Sequence, residues 1–201
     1  MANIPVSADA KLARIVGELV AEFYAVVDRR WSTFCVVDSL IVTGVLAQLG
    51  IDSQVIPCQI VCSAAGSSYM IGFSGLQKPD QWDGHVAVRC HDVLIDCATG
   101  VLSQSCGVAV PNAVATDCLK IPSSLIARLV TDGGVRLGWL VPPAGAKLTP
   151  PAPPQEVVDQ QAMRLTARVR QRLGLPDTNV PRSGIIDLPQ TLTAVPRWVL
   201  A

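Results

Sequence analysis

Three residues of the types that cooperate in nucleophilic catalysis stand out in this chain. Cys35 begins a predicted apolar helix, and His85 and Asp96 lie in one predicted β-hairpin at residues 84–96. With the centre of the turn placed just after Cys90, His85 lies directly opposite Asp96. Opposed residues of an antiparallel pair share a face with Cβ atoms about 5 Å apart, which suits a carboxylate that orients an imidazole. The pattern predicts a nucleophile, a base and an orienting group.

The predicted position of Cys35 suits a reactive thiol. In the first turn of a helix, unpaired backbone N–H groups and the helix dipole favour the thiolate and lower the pKa of a cysteine. His85 would take the thiol proton, and Asp96 would hold the imidazole in the correct tautomer. The Cys35 amide offers one donor for an oxyanion hole, and the side chains of Trp31 and Gln59 are the candidates for a second donor.

A second group of potential ligands lies close together around the hairpin turn, namely Cys90, His91, Asp92 and Cys97. Its spacing fits none of the usual zinc patterns, so no metal is expected. The mechanism that uses Cys35, His85 and Asp96 requires no organic cofactor. His91 could in principle replace His85 as the base. An imidazole at the tip of a turn is expected to be solvated and distant from a buried helix start, which favours His85.

The elements that must position these residues follow from hydrophobic periodicity and turn signals. The chain is predicted to alternate between amphipathic or apolar helices and short strands, with a proline-rich spacer before the last helix. The predicted helices cover residues 8–29, 34–49, 122–129 and 155–173, and the predicted strands cover 54–62, 69–73, the hairpin at 84–96, and 138–141.

Composition narrows the classes of function. Of 201 residues, 50% are hydrophobic and 16% are charged, with a formal net charge of zero, so neither nucleic acid nor an anionic membrane is an expected partner. Seven cysteines are odd in number and irregular in spacing, which argues against a disulfide framework. The first eleven residues do not read as a secretory signal. We therefore expect reduced thiols and a cytoplasmic protein.

A change in composition at Pro142 suggests a boundary. The predicted organisation is a domain over residues 1–141, a proline-rich linker over 142–154, and a helix with an irregular tail over 155–201. The last helix has a narrow apolar stripe that needs a surface to cover it. That surface is either a protein partner bound through residues 155–201 or the domain itself.

The helix-start cysteine, the Gly84–Val88 strand with its histidine, and the Leu94–Asp96 strand with its aspartate together resemble the transglutaminase-like group of papain-type cysteine enzymes. The resemblance covers about residues 10–110. It implies an α+β fold in which a catalytic helix packs against an antiparallel sheet, with the C-terminal helix as an extension. It also implies Cys35 as nucleophile, His85 as base and Asp96 as orienter.

Members of this group hydrolyse peptide or amide bonds, or transfer acyl groups, through a thioester. The resemblance therefore implies a cysteine-dependent hydrolase, a peptidase, isopeptidase or amidase, that acts on a peptide or protein substrate. An acyltransferase would use the same three residues. The competing hypothesis is a non-catalytic protein-binding module on the same fold, in which the proline-rich spacer and the last helix dock a partner.

Overall fold

The computed structural model describes residues 8–28, 34–64, 66–75, 82–120 and 124–176. These residues form an α+β fold of four helices and seven strands. In chain order the elements are α1 (Ala8–Val26), α2 (Cys35–Gln48), β1 (Gln54–Ala64), β2 (Ser67–Ile71), β3 (His85–Cys90), β4 (Val93–Asp96), α3 (Val101–Cys106), β5 (Val114–Asp117), β6 (Leu125–Val130), β7 (Arg136–Leu140) and α4 (Gln155–Leu173).

The strands form one antiparallel sheet that curls until its outer strands meet. Their order is β5–β4–β3–β1–β7–β6, and β2 is added alongside β1. Just after β5, Cys118 bridges to Ala127 of β6, and the Leu119 amide donates to the Ile126 carbonyl at 2.8 Å. The sheet therefore nearly closes into a barrel, which leaves few strand edges unpaired.

Side-chain alternation along the strands builds two hydrophobic cores. Val86 and Val88 of β3 pack in a cluster with α1, α2 and α4, on the outer face of the sheet. Ala87, between them, joins a second cluster inside the curled sheet with Trp139. Because successive residues of a strand face opposite sides, His85 points to the interior side, where Ala87 lies.

The apolar composition of α2 explains why this helix is central. Ten of its fourteen residues are buried, so it packs on nearly every side, as the sequence predicts. The Ser39 hydroxyl donates to the Val86 carbonyl at 3.3 Å and ties the first turns of α2 to β3. Among the residues that the structure describes, no helix combines the length and the apolarity needed to cross a membrane.

The β3–β4 hairpin forms, but in a different register from the predicted one. Cys90 pairs with Val93 instead of lying in the turn, and the loop consists of His91 and Asp92. The reason is burial, because the Cys90 side chain is completely buried while His91 and Asp92 are exposed. A backbone φ of 52° at His91 makes the tight reversal possible.

This register changes how His85 and Asp96 meet. Val88 pairs with Ile95, so the next position along the hairpin places Asp96 opposite Ala87. The prediction that His85 lies directly opposite Asp96 is therefore wrong. His85 lies two residues further along the same face, and a shift of two residues preserves the side to which a side chain points. The two residues are therefore diagonal neighbours on one face, still within reach of a long side chain.

Two further segments differ from the predicted elements. Residues 125–130 form β6 rather than part of a helix over 122–129, because they pair with β7, and this tertiary partner outweighs the local pattern. The strand predicted at 69–73 is β2, which ends at Ile71 because Gly72 and Phe73 both adopt positive φ. Helix α3 lies within residues 98–114, for which the sequence pattern predicts no definite element.

Helix α4 belongs to the outer core. Its apolar stripe is buried against α1 and α2, with Leu165 and Val169 fully inaccessible to solvent. The stripe that suggested a partner surface is thus covered by the protein itself. Arg168 and Arg172 also form ion pairs with Glu22 of α1, at 2.8 Å and 3.0 Å.

Truncation of Leu165 to alanine tests this packing. The substitution removes a fully buried side chain between α4 and its neighbours, so we expect the free energy of unfolding to fall by about 2–5 kcal/mol in urea denaturation. Met163 on the same helix is 49% exposed, and Met163→Ala should change stability by less than about 0.5 kcal/mol. Equal effects of the two substitutions would contradict a buried α4.

Candidate active site

The centre of the candidate site is a buried pair between an imidazole and a carboxylate. His85 is the first residue of β3 and Asp96 the last residue of β4, so both lie at the same end of the hairpin. The His85 Nε2 and Asp96 Oδ2 atoms are 2.7 Å apart, and the side chains are 3% and 1% exposed. The structure therefore brings these two predicted residues together despite the changed register.

Asp96 receives two more donors. The Trp139 indole Nε1 donates to Oδ2 at 2.7 Å, and the Ala98 amide donates to Oδ1 at 2.9 Å. Burial by itself raises the pKa of Asp96, but the charge of His85 and the hydrogen bonds from His85, Trp139 and Ala98 outweigh it and lower the pKa below its usual value. Asp96 is thus held as a carboxylate.

Cys35 approaches the imidazole from the start of α2. Burial lowers the pKa of His85, but the charge of Asp96, its hydrogen bond, and then a hydrogen bond and charge interaction with Cys35 raise it above its ordinary value. Since Nε2 faces Asp96, Nδ1 is the nitrogen left for the thiol. Cys35 and Asp96 therefore both act on the same imidazole, and the contact with Asp96 is the 2.7 Å one.

The other described cysteines differ from Cys35 in their surroundings. Six of the seven cysteines have described side chains, all of them free thiols, and Cys35 alone among these six is half-buried rather than buried. Burial raises the pKa of Cys58 and Cys97 well above its ordinary value. Burial also raises the pKa of Cys90 and Cys118. These four remain protonated thiols, and the sixth, Cys62, is completely buried, so Cys35 is the candidate nucleophile of this group.

A tight turn after β2 supports the start of β3. The Gln59 side chain donates from Nε2 to the carbonyl oxygens of Gly72 at 3.0 Å and Phe73 at 3.4 Å, and the Phe73 amide donates to the Asp83 carbonyl at 2.8 Å. Both Gly72 and Phe73 have positive φ, 86° and 53°. This conformation is strained for phenylalanine, so the surrounding hydrogen bonds must hold it.

The same turn bears on Gln59, one of the two candidates for the second oxyanion donor. Because the N–H groups of the Gln59 amide are engaged by the turn, this side chain positions the backbone beside His85 rather than pointing at Cys35. Trp31, the other candidate, lies outside the described residues. The sequence therefore located Gln59 near the site but predicted the wrong role for it.

Of the potential ligands around the hairpin turn, Cys90, His91 and Asp92 do not join the site, whereas Cys97 directly follows Asp96 and is buried in the outer core. His91 is exposed in the turn, and it lies six positions after His85, which corresponds to about 20 Å of extended strand. Cys90 points into the outer core. Within the described parts of the chain, no group of three or more His, Cys, Asp or Glu side chains is arranged to hold a metal ion.

The proline-rich segment reaches the site as well. Residues 142–154 contain no helix or strand, as expected of a spacer, but the Trp82 indole donates to the Lys147 carbonyl at 2.9 Å. Trp82 also makes an edge-on contact with Phe73, with ring centroids 6.1 Å apart. Trp82 therefore links the spacer to the turn that supports His85.

Asp38 is a buried charged residue that the sequence pattern did not single out. It lies three residues after Cys35 on α2, is fully buried, and has no hydrogen-bond partner for either carboxyl oxygen among the described residues. Burial, then the charges of Asp96 and Cys35, raise its pKa to about 9, against a lowering effect of His85. The sequence signal that could have identified Asp38 is an acidic residue one turn after a cysteine in an otherwise apolar helix.

Trp139 is the other residue that sequence reasoning missed. It lies 43 residues from Asp96 in the chain, and only the pairing of β7 with β1 brings it to the carboxylate. No local spacing connects the two residues, so the sequence contains no signal for this contact.

A methyl group at Gly72 should disturb the base. An added Cβ would lie 2.8 Å from both the Cβ and the backbone nitrogen of His85, and the positive φ adds strain. We expect Gly72→Ala to lower the thermal midpoint and to slow alkylation of Cys35. Gly66 has a similar φ of 81° with nothing within 4 Å, so Gly66→Ala is the matched control for backbone strain alone. A Cys35 alkylation rate reduced equally in both variants would contradict the proposed support of His85.

The buried Asp38 should make stability depend on pH. Its folded pKa is about 9 and its ordinary value is 3.8, so between these values the folded state holds a proton that the unfolded state has released. Stability must then fall as pH rises through this window, by up to about 1.4 kcal/mol per pH unit from this group. In Asp38→Asn this contribution disappears.

Urea denaturation at pH 5 and pH 8 measures the effect. The stability of Asp38→Asn relative to the unsubstituted protein should be greater at pH 8 than at pH 5. An unchanged difference between the two proteins at both pH values would show that Asp38 is already ionised in the folded state.

Comparisons with known proteins do not add to these observations. A scan of family models, a search of curated proteins and a search of solved structures each return no match for this chain. The interpretation of the site consequently depends on its own geometry and chemistry.

Proposed function

We propose that this chain is a cysteine-dependent hydrolase in which Cys35 is the nucleophile, His85 the general base and acid, and Asp96 the orienting carboxylate. The observation that supports the proposal most directly is the 2.7 Å buried contact between His85 Nε2 and Asp96 Oδ2, on an imidazole whose pKa is raised first by Asp96 and then by Cys35. Nucleophile, base and orienter connected in this order are the arrangement required for nucleophilic catalysis by a thiol.

Acylation would begin from a thiolate–imidazolium pair. The raised pKa of His85 favours proton transfer from the Cys35 thiol to the imidazole. Cys35 Sγ attacks the carbonyl carbon of the substrate, a carbon–sulfur bond forms, and the carbonyl electrons move onto oxygen. When the carbon–nitrogen bond breaks, the His85 imidazolium gives its proton to the leaving amine and a thioester remains.

The start of α2 is suited to the negative oxygen of the tetrahedral intermediate. Phe34 precedes the helix, and its side chain has no oxygen or nitrogen with which to cap it. The first backbone N–H groups of α2, beginning with that of Cys35, lack carbonyl partners within the helix and can donate to an oxyanion. The helix dipole stabilises negative charge at the same place.

Deacylation completes the cycle. Neutral His85 takes a proton from water, the hydroxide attacks the thioester carbonyl, and the carbon–sulfur bond breaks to return Cys35 as a thiolate beside the imidazolium. Hydrolysis of a peptide, isopeptide or other amide bond is the reaction we propose first. If an amine instead of water attacks the thioester, the same three residues perform acyl transfer.

The relation to known folds is part of the proposal. A helix-start cysteine with a histidine and an aspartate on neighbouring antiparallel strands is what the proposed resemblance to the transglutaminase-like group of papain-type enzymes implies, and the α+β fold is compatible with it. The six described cysteines are free thiols, which is compatible with a reducing compartment such as the cytoplasm. A peptide or protein is the proposed substrate.

The alternative of a non-catalytic binding module has less support. Its motivating feature was the apolar stripe on α4, and the described part of that stripe is buried against α1 and α2. By contrast, a buried His85–Asp96 pair next to a half-buried cysteine has no evident use in a purely structural module, because burying such a pair costs desolvation energy. We therefore favour the catalytic interpretation.

Selective alkylation tests the proposal without knowledge of the substrate. At low iodoacetamide concentration, mass spectrometry should find Cys35 modified well before the other cysteines, because a thiolate reacts and a thiol does not. In His85→Ala, the rate of modification of Cys35 should fall by roughly tenfold or more at pH 6 to 7, since the thiolate loses its imidazolium partner.

His91→Ala provides the matched control, because His91 is the exposed histidine of the same hairpin. This variant should be alkylated at Cys35 at the same rate as the unsubstituted protein. Slow and uniform modification of all seven cysteines, or an unchanged Cys35 rate in His85→Ala, would rule out the proposed nucleophile and base.

A further inference from the structure

Asp38 is a titratable group that the proposed mechanism does not use. It lies one helical turn after Cys35, is fully buried, and both of its carboxyl oxygens lack hydrogen-bond partners among the described residues. Because these oxygens have no contact with solvent, a substrate at Cys35 cannot reach them. An unpartnered buried carboxyl group is expensive to maintain, so its presence beside the nucleophile calls for an explanation.

The titratable groups around Asp38 come from each element of the site. The groups that interact electrostatically with Asp38 are Tyr24 on α1, Cys35 on α2, His85 on β3, and Asp96 and Cys97 at the end of β4. Of these groups, His85 alone brings positive charge, and that charge is already balanced by Asp96 at 2.7 Å. No cation is therefore left within this set to neutralise an Asp38 carboxylate.

The chemistry at Cys35 makes the charge of Asp38 important. The proposed reaction places negative charge first on the sulfur and then on the substrate oxygen, in a region that already contains the Asp96 carboxylate. A second carboxylate within the same buried cluster would raise the energy of both species, because interactions between charges are strong where water is excluded. A neutral carboxyl group in the same place has no such effect.

We propose that Asp38 permits the reaction only in its protonated form, and that its ionisation in alkaline solution switches off acylation of Cys35. This inference rests on the proposed function. It assigns to Asp38 the upper pH limit of the reaction, while Asp96 remains the carboxylate that orients His85.

The order of ionisation agrees with this role. Burial and the neighbouring negative charges raise the pKa of Asp38 to about 9, whereas burial raises the pKa of Tyr24 and of Cys97 further above the neutral range. The imidazolium of His85, with its pKa also raised, keeps its proton at neutral pH. Asp38 is consequently the group expected to lose its proton first as the solution becomes alkaline.

The test is the pH dependence of Cys35 acylation in the full chain. With p-nitrophenyl acetate as the acyl donor, the rate constant for nitrophenol release should fall by roughly fivefold or more as pH rises through about 9, as expected for a like charge in the same buried cluster. In Asp38→Asn, which is similar in shape and permanently neutral, this fall should be absent and the rate at pH 7 should be preserved to within about threefold.

Ser39→Ala is the matched control, because Ser39 is the neighbouring buried polar residue of α2 but cannot ionise. It should keep the alkaline fall. An Asp38→Asn profile that falls like that of the unsubstituted protein would overturn the inference, and so would the loss of the alkaline fall in Ser39→Ala.

A spectroscopic measurement separates failure of this inference from failure of the proposed function. The infrared difference between the unsubstituted protein and Asp38→Asn should contain the carbonyl stretch of a protonated carboxyl at pH 7, and it should disappear through pH 9. In Cys35→Ser, the carboxyl band should disappear at a lower pH than in the unsubstituted protein, because no thiolate opposes the ionisation of Asp38. Absence of the band at pH 7 overturns the inference even if Cys35 is acylated. If the Asp38 band behaves as described but Cys35 is never acylated, Asp38 is neutral at pH 7 and the proposed catalytic function is wrong.

Discussion

The rest of the structure depends on keeping the buried His85–Asp96 pair satisfied. A charge removed from water is tolerated only when its hydrogen-bonding capacity is filled. The hydrogen-bonding capacity of Asp96 is filled by three donors, the His85 imidazole, the Trp139 indole and the Ala98 amide. These donors come from β3, β7 and the chain after β4, so the curled sheet must hold all three segments in a fixed relation.

The two hydrophobic cores have different tasks in this arrangement. The interior core of the curled sheet fixes the positions of β3, β4 and β7, and with them the pair. The outer core packs α2 against β3, where the Ser39 hydroxyl donates to the Val86 carbonyl. The outer core therefore places Cys35 at the imidazole, although the partners of Cys35 belong to the strands.

Two aspartates close to one another are held in opposite states by their surroundings. Asp96 has three donors and a lowered pKa, whereas Asp38 has no partner among the described residues and a raised pKa. The cluster thereby contains one carboxylate and one carboxylic acid, a division of roles that environments of this kind produce at functional sites. The unpartnered group lowers stability, which is the pattern expected where function and stability compete.

The sequence by itself determined the apolar helix at α2, the α4 stripe, the hairpin, and the common face of His85 and Asp96, because periodicity and side-chain alternation are local properties. It failed for β6, which is a strand because β7 pairs with it, and it misplaced the hairpin register because the burial of Cys90 is not visible in the local pattern. Only the tertiary structure decided that Trp139 completes the shell of Asp96, that Gln59 serves a turn, and that Asp38 is sealed beside Cys35. These contacts join segments distant in the chain, and no local rule specifies which distant side chain fills a given space.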